Sequence, residues 1–248
     1  MNGAPAKYVY GVTSSSSDPP AEAGIGGAVL ELIASHGLAA LVSDVIGDEL
    51  RMGREEIATH SRVLERALAL GTVLPMRFGV VIADASAVRG QLLDAHREEL
   101  VAQLAQLEGK VELTVRATYE EDALIREVVS EDPDVRQLQG SLRGAPEDAT
   151  YYPRIQLGEL VARAVERKRQ RDAGGILDTL APLALDVRVA EPAHERIAFS
   201  ASFLVDRNRI ADFDAVVESV AAAEANRLRF KYIGPLPPHS FVELATTA

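Results

Sequence analysis

The sequence contains no cysteine and no tryptophan, and aromatic residues make up only 5% of its 248 positions. Without cysteine the chain can form no disulfide, thiolate zinc site, iron–sulfur cluster or cysteine nucleophile, and this absence fits a reducing, intracellular compartment. Long uncharged runs are also absent, since the two most apolar windows, 28–46 and 67–88, both carry charged side chains. Because a membrane-spanning helix needs about 20 apolar residues, the sequence predicts a soluble protein, cytoplasmic by default.

Positive charge is scarce as well, with 26 Lys and Arg residues against 37 Asp and Glu residues and a net charge of −11. Nucleic-acid binding depends on the neutralisation of phosphates by Lys and Arg, and docking on anionic membranes depends on the same residues. We therefore expect neither a nucleic acid nor a lipid membrane as partner. The 47% of hydrophobic and 25% of charged residues are typical of a globular protein.

The hydrophobic pattern predicts alternating strands and helices in both halves of the chain. In the first half, predicted strands lie at 7–12, 38–46, 72–82 and 109–119, and predicted helices at 24–35, 54–70 and 84–108. In the second half, predicted helices lie at 120–130, 154–172 and 208–224, and predicted strands at 183–189, 197–205 and 227–233. We expect an α+β fold of two domains, an N-terminal α+β domain over 1–117 and a C-terminal α+β domain over 118–248 with leading helices and a proline-rich tail.

Sequence motifs for catalysis or cofactor binding are not found. The GIGG string at 24–27 departs from the dinucleotide-binding pattern G-x-G-x-x-G, because its sixth position is Val29. No two of the five histidines have the i, i+4 spacing that places two metal ligands on one helix face, so we predict no cofactor and no metal site. His60 borders an apolar helix stripe and His96 lies within one, and both are interpreted as packed, hydrogen-bonded histidines. The alternative is that they converge as a general acid/base pair.

Basic residues in two predicted strands are candidates for partner contacts. Arg227, Arg229 and Lys231 alternate with apolar residues and therefore share one face of their strand. Protection of an edge strand against aggregation explains them, and a charged contact with a partner is the functional alternative. Arg77 lies inside an otherwise apolar strand, where we expect it to need a carboxylate, backbone carbonyls or a helix end as partner.

Two strings are unusual in their glycine and proline content, TVLPMRFG at 72–79 and GPLPPHSFVEL at 234–244. Pro75 cannot donate to a strand ladder, so the predicted strand around it lies at a sheet edge or is broken there. In the second string, Gly234 allows a sharp bend and the prolines stiffen the backbone toward polyproline II. Such segments typically buttress another surface, within or between chains.

The sequence resembles the gas vesicle protein L/F family (GvpL/GvpF) over nearly its whole length. The resemblance is carried by YVYGV at 8–12, GLAALVSDV at 37–45, HSRVLERALALGTVLPMRFGVVI at 60–82, GKVELTV at 109–115, SASFLVDR at 200–207 and KYIGPLPPHSFVEL at 231–244. Its most specific parts are the LPxRFG and GPxPPxSFV strings. The family-motif residues in these two strings are Pro75, Phe78, Gly79, Gly234, Pro235, Pro237, Pro238 and Phe241.

The resemblance implies two α+β domains, the first of them ferredoxin-like, and a non-enzymatic accessory or minor structural role in gas vesicles, the gas-filled, protein-walled organelles that give buoyancy. Expected partners are the small hydrophobic shell protein and other gas vesicle accessory proteins, with Arg77 and the Arg227, Arg229 and Lys231 face as candidate contacts. The alternative is a ferredoxin-like α+β enzyme or small-ligand-binding protein with a polar pocket near His60, His96 and Arg77.

Overall fold

The computed structural model describes residues 5–45, 53–143 and 146–243 and has the predicted α+β fold. Contacts between residues divide the chain into two units, one of Met1–Glu112 with Gly234–Ala248 and one of Leu113–Ile233. This division ends the first unit before residue 117 and adds the end of the chain to it, which differs from the boundary expected from the sequence. Among the described helices none is long and apolar enough to cross a membrane.

The first unit is built on an antiparallel sheet. Its strands are β1 (Lys7–Ser14), β2 (Leu30–Ser35), β3 (Leu38–Asp44), β4 (Leu74–Pro75) and β5 (Val81–Ile82), in the order β2-β3-β1-β4 with β5 also paired to β1. Its helical segments are α1 (Arg54–Leu70), α2 (Ala85–Ala87), a π-helical segment (Val88–Asp94) and α3 (Arg97–Gln106). The central strand β1 is buried over its first seven residues and forms the middle of the core.

The prediction of a helix over 24–35 is wrong, because this segment forms a single 3-10 turn (Ile25–Gly27) followed by β2. Its apolar residues fit a strand as well as a helix, and a nearby turn favours the strand. His36 and Gly37 both have positive φ, 46° and 87°, as a two-residue type I′ hairpin turn requires. This turn pairs Ser35 with Leu38 and fixes the register of β2 against β3.

Other predictions for this unit are confirmed or refined by the structure. The helix predicted over 54–70 is α1, with the same bounds. The predicted strand 72–82 is broken after Pro75, as its missing amide donor suggested. The predicted helix 84–108 begins with Asp84 as its cap, whose carboxylate accepts from the Ala87 amide at 2.8 Å, but the π-helical segment interrupts it.

The second unit is built on a sheet of β6 (Lys110–Tyr119), β7 (Asp186–Val189), β8 (Ile197–Asp206) and β9 (Leu228–Leu236), in the order β7-β8-β6-β9. Its helices are α4 (Glu121–Glu131), α5 (Pro133–Leu142), α6 (Glu147–Leu180) and α7 (Ile210–Ala223). Helix α6 continues beyond the predicted end at 172 and through Gly174 and Gly175. A glycine inside a helix costs about 1 kcal/mol, and burial of Ile176 and Leu180 immediately beyond offsets this cost.

The two sheets share one connectivity. In each, the first strand is central, the next two strands form an antiparallel pair on one side of it, and the last strand pairs on the other side. In the second unit helices fill both connections, which gives the β-α-β-β-α-β order of ferredoxin-like units. In the first unit the residues between β1 and β2, all described, contain no helix longer than the 3-10 turn, together with an isolated bridge between Ala23 and Val29.

Candidate functional site

His60 on α1 is 3% exposed, and both of its ring nitrogens have partners. Nε2 lies 3.2 Å from the carbonyl oxygen of Met76, and Nδ1 lies 2.9 Å from the hydroxyl of Tyr8. Because a carbonyl only accepts, Nε2 carries the proton, and Nδ1 accepts the proton of the Tyr8 hydroxyl. Burial lowers the pKa of His60 to about 4, with the nearby His239 as a further cause. His60 is therefore a neutral, doubly hydrogen-bonded histidine.

This hydrogen-bond chain holds both ends of the LPMRFG loop between β4 and β5. The Met76 carbonyl accepts from His60, and the Gly79 amide donates to the Tyr8 hydroxyl at 3.1 Å. Gly79 has φ 93°, a left-handed conformation that favours glycine. Between these ends the Phe78 ring packs against the rings of His60 and Tyr8, with centroids 5.7 and 6.1 Å apart. The loop is thus fixed by buried groups on α1 and β1.

Arg77 sits at the tip of this loop and is exposed. Its side chain makes no hydrogen bond or ion pair with any residue of the described ranges, so the expected carboxylate, carbonyl or helix-end partner is not found there. The reason is that β4 ends at the buried Pro75. Arg77 therefore lies outside the strand. The Arg77 side chain is thus exposed to solvent.

The proline-rich tail also belongs to the first unit and binds a buried carboxylate there. Glu112 is 4% exposed, and Ser240 donates both its amide, at 2.8 Å, and its hydroxyl, at 2.7 Å, to the two carboxylate oxygens. Gln103 donates to the carbonyl oxygen of Glu243 at 2.8 Å and accepts from its amide at 3.1 Å. These four hydrogen bonds fix the chain around the family-motif residue Phe241, which is buried.

The two most specific strings of the sequence meet at His60. Pro237 and Pro238 are buried, and the His239 ring that follows them lies 6.4 Å from the His60 ring. Phe78 of the other string packs on the same imidazole. Gly234 and Pro235, joined by a cis peptide bond, lie at the exposed end of β9 where the tail begins. Phe78 of one string and His239 of the other therefore meet at one buried histidine.

We predict that Ser240→Ala lowers the free energy of unfolding by about 1–2 kcal/mol, because it removes one of two donors to a buried carboxylate. Chemical denaturation followed by far-UV circular dichroism measures the loss, and hydrogen exchange should show earlier opening of the tail. Ser61→Ala is the matched control, since among the described residues that exposed hydroxyl donates only to the Ile57 carbonyl of its own helix. Equal stability of the two variants would contradict the prediction.

The polar pocket expected in the alternative interpretation is not supported by the described geometry. His96 lies between the π-helical segment and α3, with its Nδ1 3.6 Å from the carboxylate of Glu99. Within the described ranges no hydrogen bond, ion pair or ring contact joins it to His60 or Arg77. His60 has both nitrogens engaged and is shielded from solvent. The three side chains thus form no shared acid/base site.

The three cations of the predicted basic face have different surroundings in the structure. Arg227, immediately before β9, is half-buried, whereas Arg229 and Lys231 on β9 are exposed. The Nη1 and Nη2 of Arg227 lie 2.8 and 3.1 Å from the two carboxylate oxygens of Asp172 on α6. Asp172 also accepts from the Tyr119 hydroxyl at 2.6 Å. Burial opposes ionisation of this carboxyl, but the hydrogen bonds from Arg227 and Tyr119 hold its pKa below the usual value. Arg227 therefore stabilises the interior of its own unit.

The other two cations of this face are open to solvent. Arg229 is exposed, with its Nε 2.6 Å from a carboxylate oxygen of Glu120. Lys231 is exposed and forms no ion pair with a residue of the described parts of the chain. β9 lies at the edge of its sheet, as the edge-protection interpretation requires.

A buried charge cluster in the second unit was missed by sequence reasoning. Lys168 on α6 is 5% exposed and lies 2.7 Å from Glu127 and 2.8 Å from Glu131, both on α4. The i, i+4 spacing of these two acids is the only sequence signal for it, and that spacing is common on exposed helices. Across the described ranges no group of three or more His, Asp or Glu residues is placed to hold a metal ion.

Comparisons with known proteins agree with this architecture. The model of a family described as Gas vesicle synthesis protein GvpL/GvpF matches residues 6–243. Gas vesicle protein F of Streptomyces sp. (strain CB03234) is 39% identical over 242 residues, covering 95% of this chain and 99% of that protein. Gas vesicle protein L of the same organism is 29% identical and covers 96% of this chain and 93% of that protein. The crystal structure of the gas vesicle protein GvpF from Anabaena sp. PCC7120 shows the same fold, with a TM-score of 0.83 at 23% identity over 98% of this chain and 100% of that chain.

Proposed function

The chain belongs to the gas vesicle synthesis protein GvpL/GvpF family, and from this premise we propose that it is a gas vesicle accessory or minor structural protein that associates with the hydrophobic shell protein and supports vesicle assembly. The observation that carries the proposal is the family match over residues 6–243. The protein acts without catalysis, in the cytoplasm and at the gas vesicle. Other gas vesicle accessory proteins are further partners.

The Arg77 loop is the first proposed contact. Its guanidinium group is exposed and unpaired within the described chain, while the backbone on both sides is fixed by the Tyr8–His60 hydrogen bonds. A cation on a pre-ordered loop loses little conformational entropy on binding. Because the chain as a whole has a net charge of −11, such a cation is a distinctive feature for an acidic or carbonyl-rich partner.

The exposed edge of β9 is the second proposed contact. Lys231 and Arg229 present the charge, while Arg227, anchored on Asp172, holds the strand in place. An edge strand also offers unpaired backbone groups to a partner chain. Both proposed contacts combine positive charge with nearby apolar or backbone surface, which suits an aggregation-prone hydrophobic subunit.

We expect the shell protein to co-purify with this protein from cells that produce both, and Arg77→Glu to reduce the recovered shell protein about tenfold, because charge reversal adds repulsion to the lost attraction. Lys231→Glu should cause a smaller loss, and both losses should diminish at high salt. Arg97→Glu, at an exposed arginine without a partner in the described chain, is the matched control.

The results of this experiment test the proposed function and the proposed contact residues separately. Absence of any association between the wild-type protein and the shell protein, or other vesicle proteins, contradicts the proposed function. Association that persists at the wild-type level in Arg77→Glu and Lys231→Glu leaves the function standing and removes these residues as contacts.

A further inference from the structure

The N-terminal half of α6 has a face that its own unit leaves uncovered. Ile155, Gly158 and Ala162 follow the 3,4 spacing of one helix face, and all three are exposed, Ile155 by 49%. The uncovered face ends before Val165, which is 9% exposed, and the opposite face is half-buried and then buried at Ala164. Tyr151, 65% exposed, continues the uncovered face by one turn. An apolar face of this kind on a long helix is typical of an interaction surface.

Charges beside this face are arranged to complement a second copy of the same helix. Glu159 and Arg163 lie on one flank of the face, both are exposed, and neither forms an ion pair with a residue of the described ranges. In an antiparallel, two-fold symmetric pair, a flank of one helix faces the same flank of the other. Aligning Gly158 of one copy with Ala162 of the other therefore brings Glu159 next to Arg163 twice, once on each side of the axis.

The small residues at the crossing point allow the two backbones to approach closely. A Cβ added at Gly158 would meet nothing within 4 Å, so no residue of the described chain already occupies this space. The antiparallel arrangement also opposes the two helix dipoles, which is favourable. In a parallel pair Arg163 would have no opposite charge beside it, and Arg154 would be the arginine next to Glu159 of the other copy.

We propose that the chain self-associates through the uncovered face of α6 around Gly158 and Ala162, packed antiparallel against the same face of a second copy. About three helix turns form the contact, which is smaller than a standard interface of about 1,600 Å². The association is therefore weak, with a dissociation constant on the order of 10–100 µM. Self-association goes beyond the proposed contacts with the shell protein, because it uses different residues and a different partner.

Sedimentation velocity of the full chain at about 5–500 µM tests the proposal, in about 0.15 M salt so that repulsion between the acidic molecules is screened. We expect a concentration-dependent shift from monomer to dimer. Gly158→Leu should abolish it by separating the backbones, while improving helix propensity and leaving the fold intact. Gly175→Leu, at a second exposed and open glycine of α6, is the matched control and should still dimerise.

Charge exchange identifies the arrangement of the pair. Glu159→Arg and Arg163→Glu should each weaken dimerisation about tenfold, and the double variant should restore it to within about threefold of the wild type. Arg154→Glu should have no effect. A monomer at every concentration overturns the proposal. So does a dimer that is unaffected by Gly158→Leu, or one that is lost in Arg154→Glu but not in Arg163→Glu.

Discussion

Asp172→Ala is expected to lower the free energy of unfolding of the second unit by about 3 kcal/mol, because removing one partner of a buried ion pair leaves the others uncompensated. The carboxylate accepts from both terminal nitrogens of Arg227 and from the Tyr119 hydroxyl, and it lies 4.0 Å from the buried Lys168 amine. Without it, a half-buried guanidinium group and a buried hydroxyl lose their shared acceptor. Chemical denaturation measures the loss, and hydrogen exchange of β6 and α6 assigns it to this unit.

The matched control for this variant is Asp178→Ala. Asp178 lies on the same helix, is exposed, and forms no ion pair within the described chain, so its loss should change stability by less than about 0.5 kcal/mol. The stabilising effect of Asp172 should also depend on pH. Because its folded pKa lies below the ordinary value of 3.8, the stabilisation is present at neutral pH and declines as the pH falls below about 4. Equal, small losses in both variants would show that the Asp172 network does not stabilise the fold.

Local patterns predicted those elements whose stability is itself local. Helix α1 has a regular apolar stripe and a glycine after its last residue, and its bounds were predicted correctly. The break after Pro75 follows from a missing amide donor and needs no tertiary information. In contrast, the apolar residues of the 24–35 segment fit a helix as well as a strand. Pairing with β3 decides for the strand. Strand pairing is non-local, so a single segment cannot reveal it.

The sites were harder to predict than the elements because their partners come from distant parts of the chain. Alternation placed Arg227 on a solvated face, yet its acceptor Asp172 lies 55 residues earlier on α6. The apolar neighbours of Arg77 in the sequence predict that it needs a carboxylate, backbone carbonyls or a helix end as partner, whereas its side chain is exposed on a loop. His60 was correctly interpreted as a packed histidine. Its role at the meeting point of the two motif strings became visible only from the fold.

We expect the first unit to lose about 3 kcal/mol of stability as the pH falls from 7 to 4 through the protonation of His60 alone. The ordinary pKa of histidine is 6.5, and burial lowers that of His60 to about 4. The unfolded chain therefore takes up the proton first, so the stabilisation is complete above pH 6.5 and is lost as the pH falls toward 4. Each tenfold change in proton affinity corresponds to about 1.4 kcal/mol, which gives the expected magnitude.

His60→Gln isolates this effect, because the amide can donate to the Met76 carbonyl and accept from the Tyr8 hydroxyl but does not titrate in this range. At pH 7 the variant should be about 1–2 kcal/mol less stable than the wild type, owing to imperfect replacement of two buried hydrogen bonds. Between pH 6.5 and 4 its stability should fall less steeply, so that the two curves cross at about pH 5–5.7 and the variant is the more stable of the two below that pH. The difference between the curves removes the contribution of the carboxylates, which titrate in both proteins. Parallel curves across this range would mean that His60 already accepts a proton in the folded state, and the assignment of Nδ1 as the acceptor of the Tyr8 hydroxyl proton would then be wrong.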